Sequence, residues 1–534
     1  MGVAVIVLYV LAILCLGVWA MRKTKSLGDF FLGGRSIGPW MSAFAYGTTY
    51  FSAVVFIGYA GKLGWGFGLH TMWIVAGNIL VGSLLAWMVL GRRTREMTSR
   101  LDAMTMPAFL AERYRSPMLK ILAALLIFIF LVPYSASVYM GLSYLFESAL
   151  GMDYVQAIVL LAVLTGVYLI MGGYFAVTLT DFLMGLVMIS GVGVMMYILL
   201  GKAGGIGNAV SLLANWEVCS PALKPLPPNA PPGTIPGWVT LASLVVLTSL
   251  GPWGLPQMVQ KFYSIKNSDQ VKRAMIVATL FAVVITFGAY FTGAMTHLNL
   301  PNDSRITAAP ISEGLYTSPK ELPVKMAGDK PVILPNGKPD IDWDRWMPIF
   351  LMNKLPAWML IIIALLVFSA SMSTLSSLVL VSSSAVAMDL YAGTVNPKAE
   401  RRTVLLMMRV LCGLFVALSL YIALMKPDII INLMVISWGV LAGSFAAPYL
   451  YGLFWRRATT AGAVAGFFAG VAIAVTLYVK LGQPGIPLGG AIAILAPFIV
   501  VPIVSAVTRP MDEAHLAKCF GDGTARPGAE SAGE

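Results

Sequence analysis

Charge is what this sequence has least of. Asp, Glu, Lys and Arg make up 11% of its 534 residues, against roughly 25% in soluble globular domains. So few charged side chains cannot cover the water-facing surface of so long a chain, which excludes a soluble enzyme or a string of soluble domains. Histidine is nearly missing: His70, His297 and His515 are scattered and form no catalytic constellation. Cysteine is limited to Cys15, Cys219, Cys412 and Cys519, with Cys15 and Cys412 inside apolar spans, so free thiols are expected rather than a disulfide framework. Polar–apolar alternation is missing too, which excludes a transmembrane barrel. What is present is 58% hydrophobic residues, gathered in continuous runs of roughly 20, the length that crosses a bilayer. There are too many such runs for a single anchor or a signal peptide. The chain is a polytopic membrane protein.

The runs predict thirteen helices: one over 3–21; a core of ten over 38–60, 70–91, 119–148, 155–172, 175–201, 237–263, 271–296, 357–391, 402–424 and 429–455; and two more over 459–480 and 487–507. The ten are called core helices 1 to 10 below. The net charge of +12 signals no nucleic acid; in a membrane protein the position of Lys and Arg matters. One alternate set of connections carries Arg22, Lys23, Lys25, Arg35, Arg92, Arg93, Arg95, Arg100, Arg113, Arg115, Lys120, Lys261, Lys266, Lys272, Arg273, Lys398, Arg401, Arg402, Arg456, Arg457, Arg509, Lys518 and Arg526. The positive-inside bias puts that set in the cytoplasm, with the N-terminus outside and the C-terminus inside, as an odd helix count requires. The chain then divides into an extra helix and loop over 1–37, a first repeat over 38–201, an extracellular loop over 202–236, a second repeat over 237–455 containing an extracellular loop over 297–345, two helices over 456–509 and a polar, disordered tail over 510–534. A short helix is expected near Trp343–Leu351.

Two core helices are interrupted. Core helix 1 contains Gly47-Thr48-Thr49 between Tyr46 and Tyr50; core helix 6 contains Gly251-Pro252-Trp253-Gly254-Leu255-Pro256. Two prolines and two glycines so close cannot continue a regular helix. Non-helical backbone at membrane depth is tolerated only where it is buried or lines a cavity. Breaks in the first and sixth of ten helices are what inverted repeats of five plus five would give. Core helix 8 adds Ser369-Ala370-Ser371-Met372-Ser373-Thr374-Leu375-Ser376-Ser377. Positions 370, 373, 374 and 377 share one face, and hydroxyls with a free carbonyl suit a hard cation such as sodium; close helix packing by small residues is the alternative. Asp181, about two turns inside core helix 5, is an intramembrane carboxylate and a functional candidate by default. Asp389 and Arg409 fall near a helix end, where snorkelling or a structural pair is the better expectation.

Four segments together resemble the sodium:solute symporter family, which includes sodium/proline, sodium/sugar, pantothenate and sialic acid transporters. They are Gly33-Gly34-Arg35-Ser36-Ile37-Gly38-Pro39-Trp40, Gly172-Gly173 to Asp181, Pro256 to Phe262, and Met372-Ser373-Thr374-Leu375-Ser376. The resemblance implies an all-α, leucine-transporter-type fold with one helix before the core and two after it. It implies a sodium site made by the carbonyls of Thr48, Phe51 and Ala370 and the hydroxyls of Ser373 and Thr374. It also implies a second sodium at Asp181, Ser376 and Ser377, with Ser373 shared.

The chain departs from the family's proline transporters, which have an aspartate where Tyr50 stands and aromatics at Thr248 and Pro252; Tyr134 and Pro256 correspond. Sialic acid transporters use an arginine in core helix 3, and no Lys or Arg lies between Lys120 and Lys202. The expectation is a sodium symporter of the plasma membrane, a bacterial inner membrane, working as a monomer in the lipid bilayer. It would import a small organic solute, an amino acid or small carboxylate, held by Tyr46, Thr49, Tyr50, Tyr134, Thr248, Trp253 and Pro256. A proton-coupled transporter of the same fold and a sugar symporter are the competing readings, with a transporter-like nutrient sensor behind them. No enzymatic activity and no nucleic-acid partner are expected.

Overall fold

The computed structural model describes residues 2–21, 31–171, 174–231, 233–298, 300, 322–327, 330–333 and 339–521. Arg22, Lys23, Lys25, the Gly172-Gly173 pair and most of the loop over 297–345 lie outside them. Among the described residues, nine segments are long and apolar enough to cross a membrane. Val54–Arg100 and Thr460–Val507, at 47 and 48 residues, are each long enough for two crossings, and Ala4–Gly17 and Tyr154–Val167 are shorter apolar helices. The 460–507 segment turns at Gly482 (φ 62, ψ −162), a backbone conformation essentially reserved for glycine.

The helices fall where the apolar runs put them: Gly2–Met21, Pro117–Leu150, Tyr154–Met171, Tyr174–Lys202, Val271–Ala294, Ala357–Ser384, Arg401–Met425 and Ile430–Phe454. The breaks are displaced from the expected residues. Core helix 1 stays regular through Gly47, Thr48 and Thr49 to Tyr50, and opens at Phe51 (φ −109, ψ 90) and Ser52 before resuming up to Phe67. At membrane depth the backbone keeps its hydrogen bonds for as long as it can, and no proline forces an earlier opening. Core helix 6 is helical from Gly237 to Gly254, through Pro252, and breaks only at Leu255 (φ −80, ψ 122). Pro256 then occupies the first turn of the second half, Pro256–Ser264. A proline disfavours the helical conformation of the residue before it and is well placed at a helix start, so one proline both ends the first half and begins the second. The four half-helices are called 1a, 1b, 6a and 6b.

Half-helix 1a is the centre of the molecule. Every residue from Ser42 to Tyr50 is buried, packed by core helices 5, 7 and 8 and by 6b. Half-helix 1b lies against core helix 7 by direct backbone contact at Gly64 and Gly293, where any side chain would strike the opposite main chain.

The basic segments converge at one end. Arg35 donates to the carbonyls of Thr98 (3.2 Å) and Ala103 (3.0 Å), Arg95 to Ile265 (2.7 Å), and buried Arg113 to Gly452 (2.9 Å). These arginines tie the connecting segments together as well as marking a side. The tail departs from expectation over Glu513–Phe520, which is a helix capped by Asp512. Leu516 and Cys519 are buried, and Arg100 donates to the Phe520 carbonyl (3.0 Å), so an apolar stripe docks this helix on the core; residues 522–534 lie outside the description. Asp389 is buried rather than snorkelled, with Thr105 Oγ1 donating to it at 2.8 Å. At the opposite end the short helix Trp343–Lys354 caps a cavity of about 800 Å³ lined by Lys62, Asp342, Asp344, Lys426, Asp428 and Asn432. All four cysteines are free.

Candidate functional site

Because 1a ends at Tyr50, its last carbonyls have no intrahelical N–H partner. Core helix 8 crosses this end and presents its hydroxyl face. Ser373 Oγ lies 3.2 Å from the Thr48 carbonyl and 3.2 Å from the Ala370 carbonyl; Thr374 Oγ1 lies 3.1 Å and 3.0 Å from the same two oxygens. Four oxygens from two helices therefore close into one ring. A hard cation of calcium's size takes oxygen ligands at roughly 2.3–2.6 Å, so neighbouring ligands in an octahedral shell stand roughly 3.3–3.7 Å apart. The ring is slightly tighter than that, with the hydroxyls drawn onto the carbonyls, and needs only a small expansion to accept a cation. The oxygens are neutral, so the 1a dipole, negative at this end, supplies the attraction. Phe51 sits at the break beside them, buried and with extended backbone.

The second expected cation site is built differently. Asp181 is fully buried, and neither of its carboxylate oxygens accepts a hydrogen bond. Its neighbour is Lys261 Nζ at 3.9 Å, also fully buried. That ammonium donates to Ser377 Oγ at 2.9 Å and lies 5.2 Å from the centre of the Tyr174 ring. Ser377 Oγ is 3.0 Å from Thr49 Oγ1, while Ser376 Oγ turns back to the Ser373 carbonyl. Sequence reasoning counted Lys261 among the basic connections. It lies inside 6b, six positions from the break, and its place within the Pro256–Phe262 motif was the signal that it is not a loop charge.

Around the breaks, Tyr50 Oη donates to the Thr248 carbonyl at 2.5 Å and lies 3.2 Å from Asn78 Oδ1. The Thr248 carbonyl is available because Pro252, four residues on, has no N–H to give it. The Thr248 hydroxyl itself returns to Leu244. Trp438 joins this group: its ring is stacked 6.2 Å from Tyr50 and edge-on 5.8 Å from Tyr134. Asn78 and Trp438 were missed. The signals for them were a lone amide in the apolar run of core helix 2 and a tryptophan deep inside core helix 10, away from the interfacial belt that tryptophan prefers.

Tyr46 meets this group edge-on at Tyr50 (6.1 Å) and extends it to a further layer, donating to the Gly82 carbonyl and packed on Trp87 (5.4 Å) and Phe262 (5.6 Å). Thr49 faces Ser377, and Pro256 lines a small gap with Gln260, Tyr263 and Asp389. Trp253 is not part of the group around Tyr50. Its indole donates to the Val81 carbonyl at 3.0 Å, and it faces an apolar groove with Leu450, Phe454 and Pro502. Because 6a remains helical to Gly254, the turn that would have swung this side chain inward does not occur.

A model of the sodium:solute symporter family matches residues 30–470, and the chain belongs to that family. The osmoregulated proline transporter OpuE of Bacillus subtilis is 27% identical over 480 residues, 89% of this chain and 88% of that protein. A sodium/proline symporter of Staphylococcus aureus is 28% identical over 517 residues, covering 95% and 92%. A sodium-coupled sialic acid symporter, solved in a substrate-bound outward-open state, superposes with a TM-score of 0.70 at 17% identity over 96% of this chain and 98% of that one; the likeness is one of fold. The protein is a multi-pass membrane symporter that couples sodium to a small solute.

Proposed function

We propose that the ring formed by Thr48, Ala370, Ser373 and Thr374 is the coupling sodium site, completed by the Phe51 carbonyl. The solute is an amino acid or small carboxylate, imported by alternating access. The convergence of four oxygens at the end of 1a is the observation that carries this reading. An ion there joins the broken helix to core helix 8, so its binding and the solute's are linked, and linkage is reciprocal. The solute region is bounded by Tyr50, Tyr134, Thr248 and Trp438, with Thr49 on its ion side and Tyr46 and Pro256 in the layer towards the basic end. Names of the sodium/proline relatives favour an amino acid, and Tyr50 in place of an aspartate favours one other than proline. The positive-inside bias supports thirteen helices, an outer N-terminus, an inner C-terminus and paired repeats over 38–201 and 237–455. The cavity between Lys62 and Asp428 is then the outer vestibule, and a monomer in a bacterial inner membrane is complete.

The test is accumulation of labelled proline, other amino acids, short-chain carboxylates and glucose in proteoliposomes under an inward sodium gradient. Uptake of an amino acid or carboxylate driven by sodium is expected. Uptake driven only by a proton gradient, or of glucose alone, would select a competing reading.

A further inference from the structure

We propose that Lys261 is a tethered cation standing where a second sodium ion would bind beside Asp181, so that this symporter binds a single sodium ion. The inference rests on the sodium coupling proposed above and goes beyond it by fixing the number of ions.

The geometry carries it. Asp181 is held on core helix 5 with no exposure and no hydrogen-bond donor on either oxygen. A bare carboxylate in that position needs a positive charge, and none is supplied by backbone or hydroxyl. The positive charge present is the Lys261 ammonium, 3.9 Å away and equally buried. Its other contacts are those a bound cation would make: a hydroxyl of core helix 8, Ser377, at 2.9 Å, and the face of Tyr174 on core helix 5. The ammonium thus sits between the two helices that would have to share the ion. It came from 6b, whose break at Leu255 and Pro256 turns the Lys261 stem into the interior.

The consequence separates the two sites. A sodium ion arrives from solution and leaves again, and so can transmit a gradient; an ammonium on a helix can do neither. Lys261 instead ties 6b to core helices 5 and 8 by a covalently attached amine, and through Ser377 and Thr49 it reaches the 1a segment whose carbonyls form the proposed sodium ring. It acts as a positioning residue: it touches neither the ring oxygens nor the solute region.

The experiment counts sodium ions bound at saturation by the purified full chain, using radiolabelled sodium, in wild type, Lys261→Gln, Lys261→Arg and the Asp181→Asn/Lys261→Gln double variant. One ion is expected for wild type and for Lys261→Arg. Lys261→Gln exposes the Asp181 carboxylate and should take up a second ion, and the double variant should return to one. Should Lys261→Gln fail to fold while the double variant folds, the two charges compensate each other as proposed. Two ions on wild type would overturn the inference while leaving sodium coupling intact. So would one ion on Lys261→Gln that is unchanged in the double variant. No ion on wild type would remove the coupling site itself, and the inference with it.

Discussion

Core helix 8 serves two sites one turn apart, and they solve the same problem in opposite ways. At Ser373 and Thr374 it contributes neutral hydroxyls to a ring of neutral oxygens, which can attract a cation only through dipoles and can also release it. At Ser377 it contributes a hydroxyl to a buried ion pair whose positive member is covalently attached. At the first, proposed as the sodium site, Thr374 Oγ1 lies against the Ala370 and Thr48 carbonyls, and Ser373 Oγ is shared between the Ser369, Thr48 and Ala370 carbonyls. The second is already balanced. On the proposed assignments, a row of serines and threonines on a membrane helix does not by itself specify its cation. What faces the row decides: the frayed carbonyl end of 1a in one case, and the Asp181–Lys261 pair in the other.

The largest contrast should come from removing hydroxyls. Ser373→Ala or Thr374→Ala each deletes one of four ring oxygens, and a ligand worth about 1.4 kcal/mol is tenfold in affinity. The sodium concentration for half-maximal binding should rise at least tenfold in each single variant and further in the double. A Ser377→Ala change of equal size in sodium affinity would erase the distinction between the sites.

Asp181→Asn is expected to act on stability instead. It strands the buried Lys261 charge, a loss of about 3–5 kcal/mol, visible as a lower thermal unfolding temperature. The protein that folds should keep its sodium affinity within about threefold, well under the shift expected at the ring. A tenfold loss of sodium affinity there would place Asp181 in the coupling site.

The solute region yields smaller effects. Pro252→Ala restores an N–H that competes with Tyr50 for the Thr248 carbonyl, and Tyr50→Phe removes the donor. Each should weaken solute binding severalfold, about 1 kcal/mol, and because they break one contact the double variant should cost little more than either alone. Full additivity, read from uptake kinetics, would mean that the hydrogen bond does not organise the pocket.

The smallest effect lies in the vestibule. Burial pushes the Asp344 carboxyl up to about 7, against the lowering effect of the Ile430 N–H bonded to it at 3.1 Å. The folded state therefore holds a proton that the unfolded chain gives up near the ordinary aspartate value of 3.8. This group's contribution to stability is greatest below that value, falls as pH rises to about 7, and levels off above. Asp344→Asn should flatten that part of the pH dependence, a matter of a few degrees in unfolding temperature.

Most of the helical frame could be read from the apolar runs, because hydrocarbon thickness fixes helix length and a run of roughly 20 residues has few other meanings. The hydroxyl face of core helix 8 could be read from its i, i+3, i+4 pattern, whereas pairing that face with the Thr48 and Phe51 carbonyls came from the family resemblance. What escaped depended on contacts between distant segments. The break in core helix 1 moved to Phe51 because only packing decides where a glycine-containing helix opens. Trp253 turned away once 6a remained helical beyond Pro252. Lys261 looks like a loop charge in sequence and becomes an interior one only when the break at Leu255 bends 6b back into the bundle. Trp438 and Asn78 are ordinary residues until three helices bring them to Tyr50.

Anomalous scattering from crystals grown with thallium in place of sodium tests the coupling site most directly, because it locates the ion without reference to transport. A single strong peak is expected within ligand distance of Thr48 O, Ala370 O, Ser373 Oγ and Thr374 Oγ1, absent in the Ser373→Ala/Thr374→Ala double variant. A peak beside Asp181 and Ser377, with none in the ring, would contradict the assignment of the two sites.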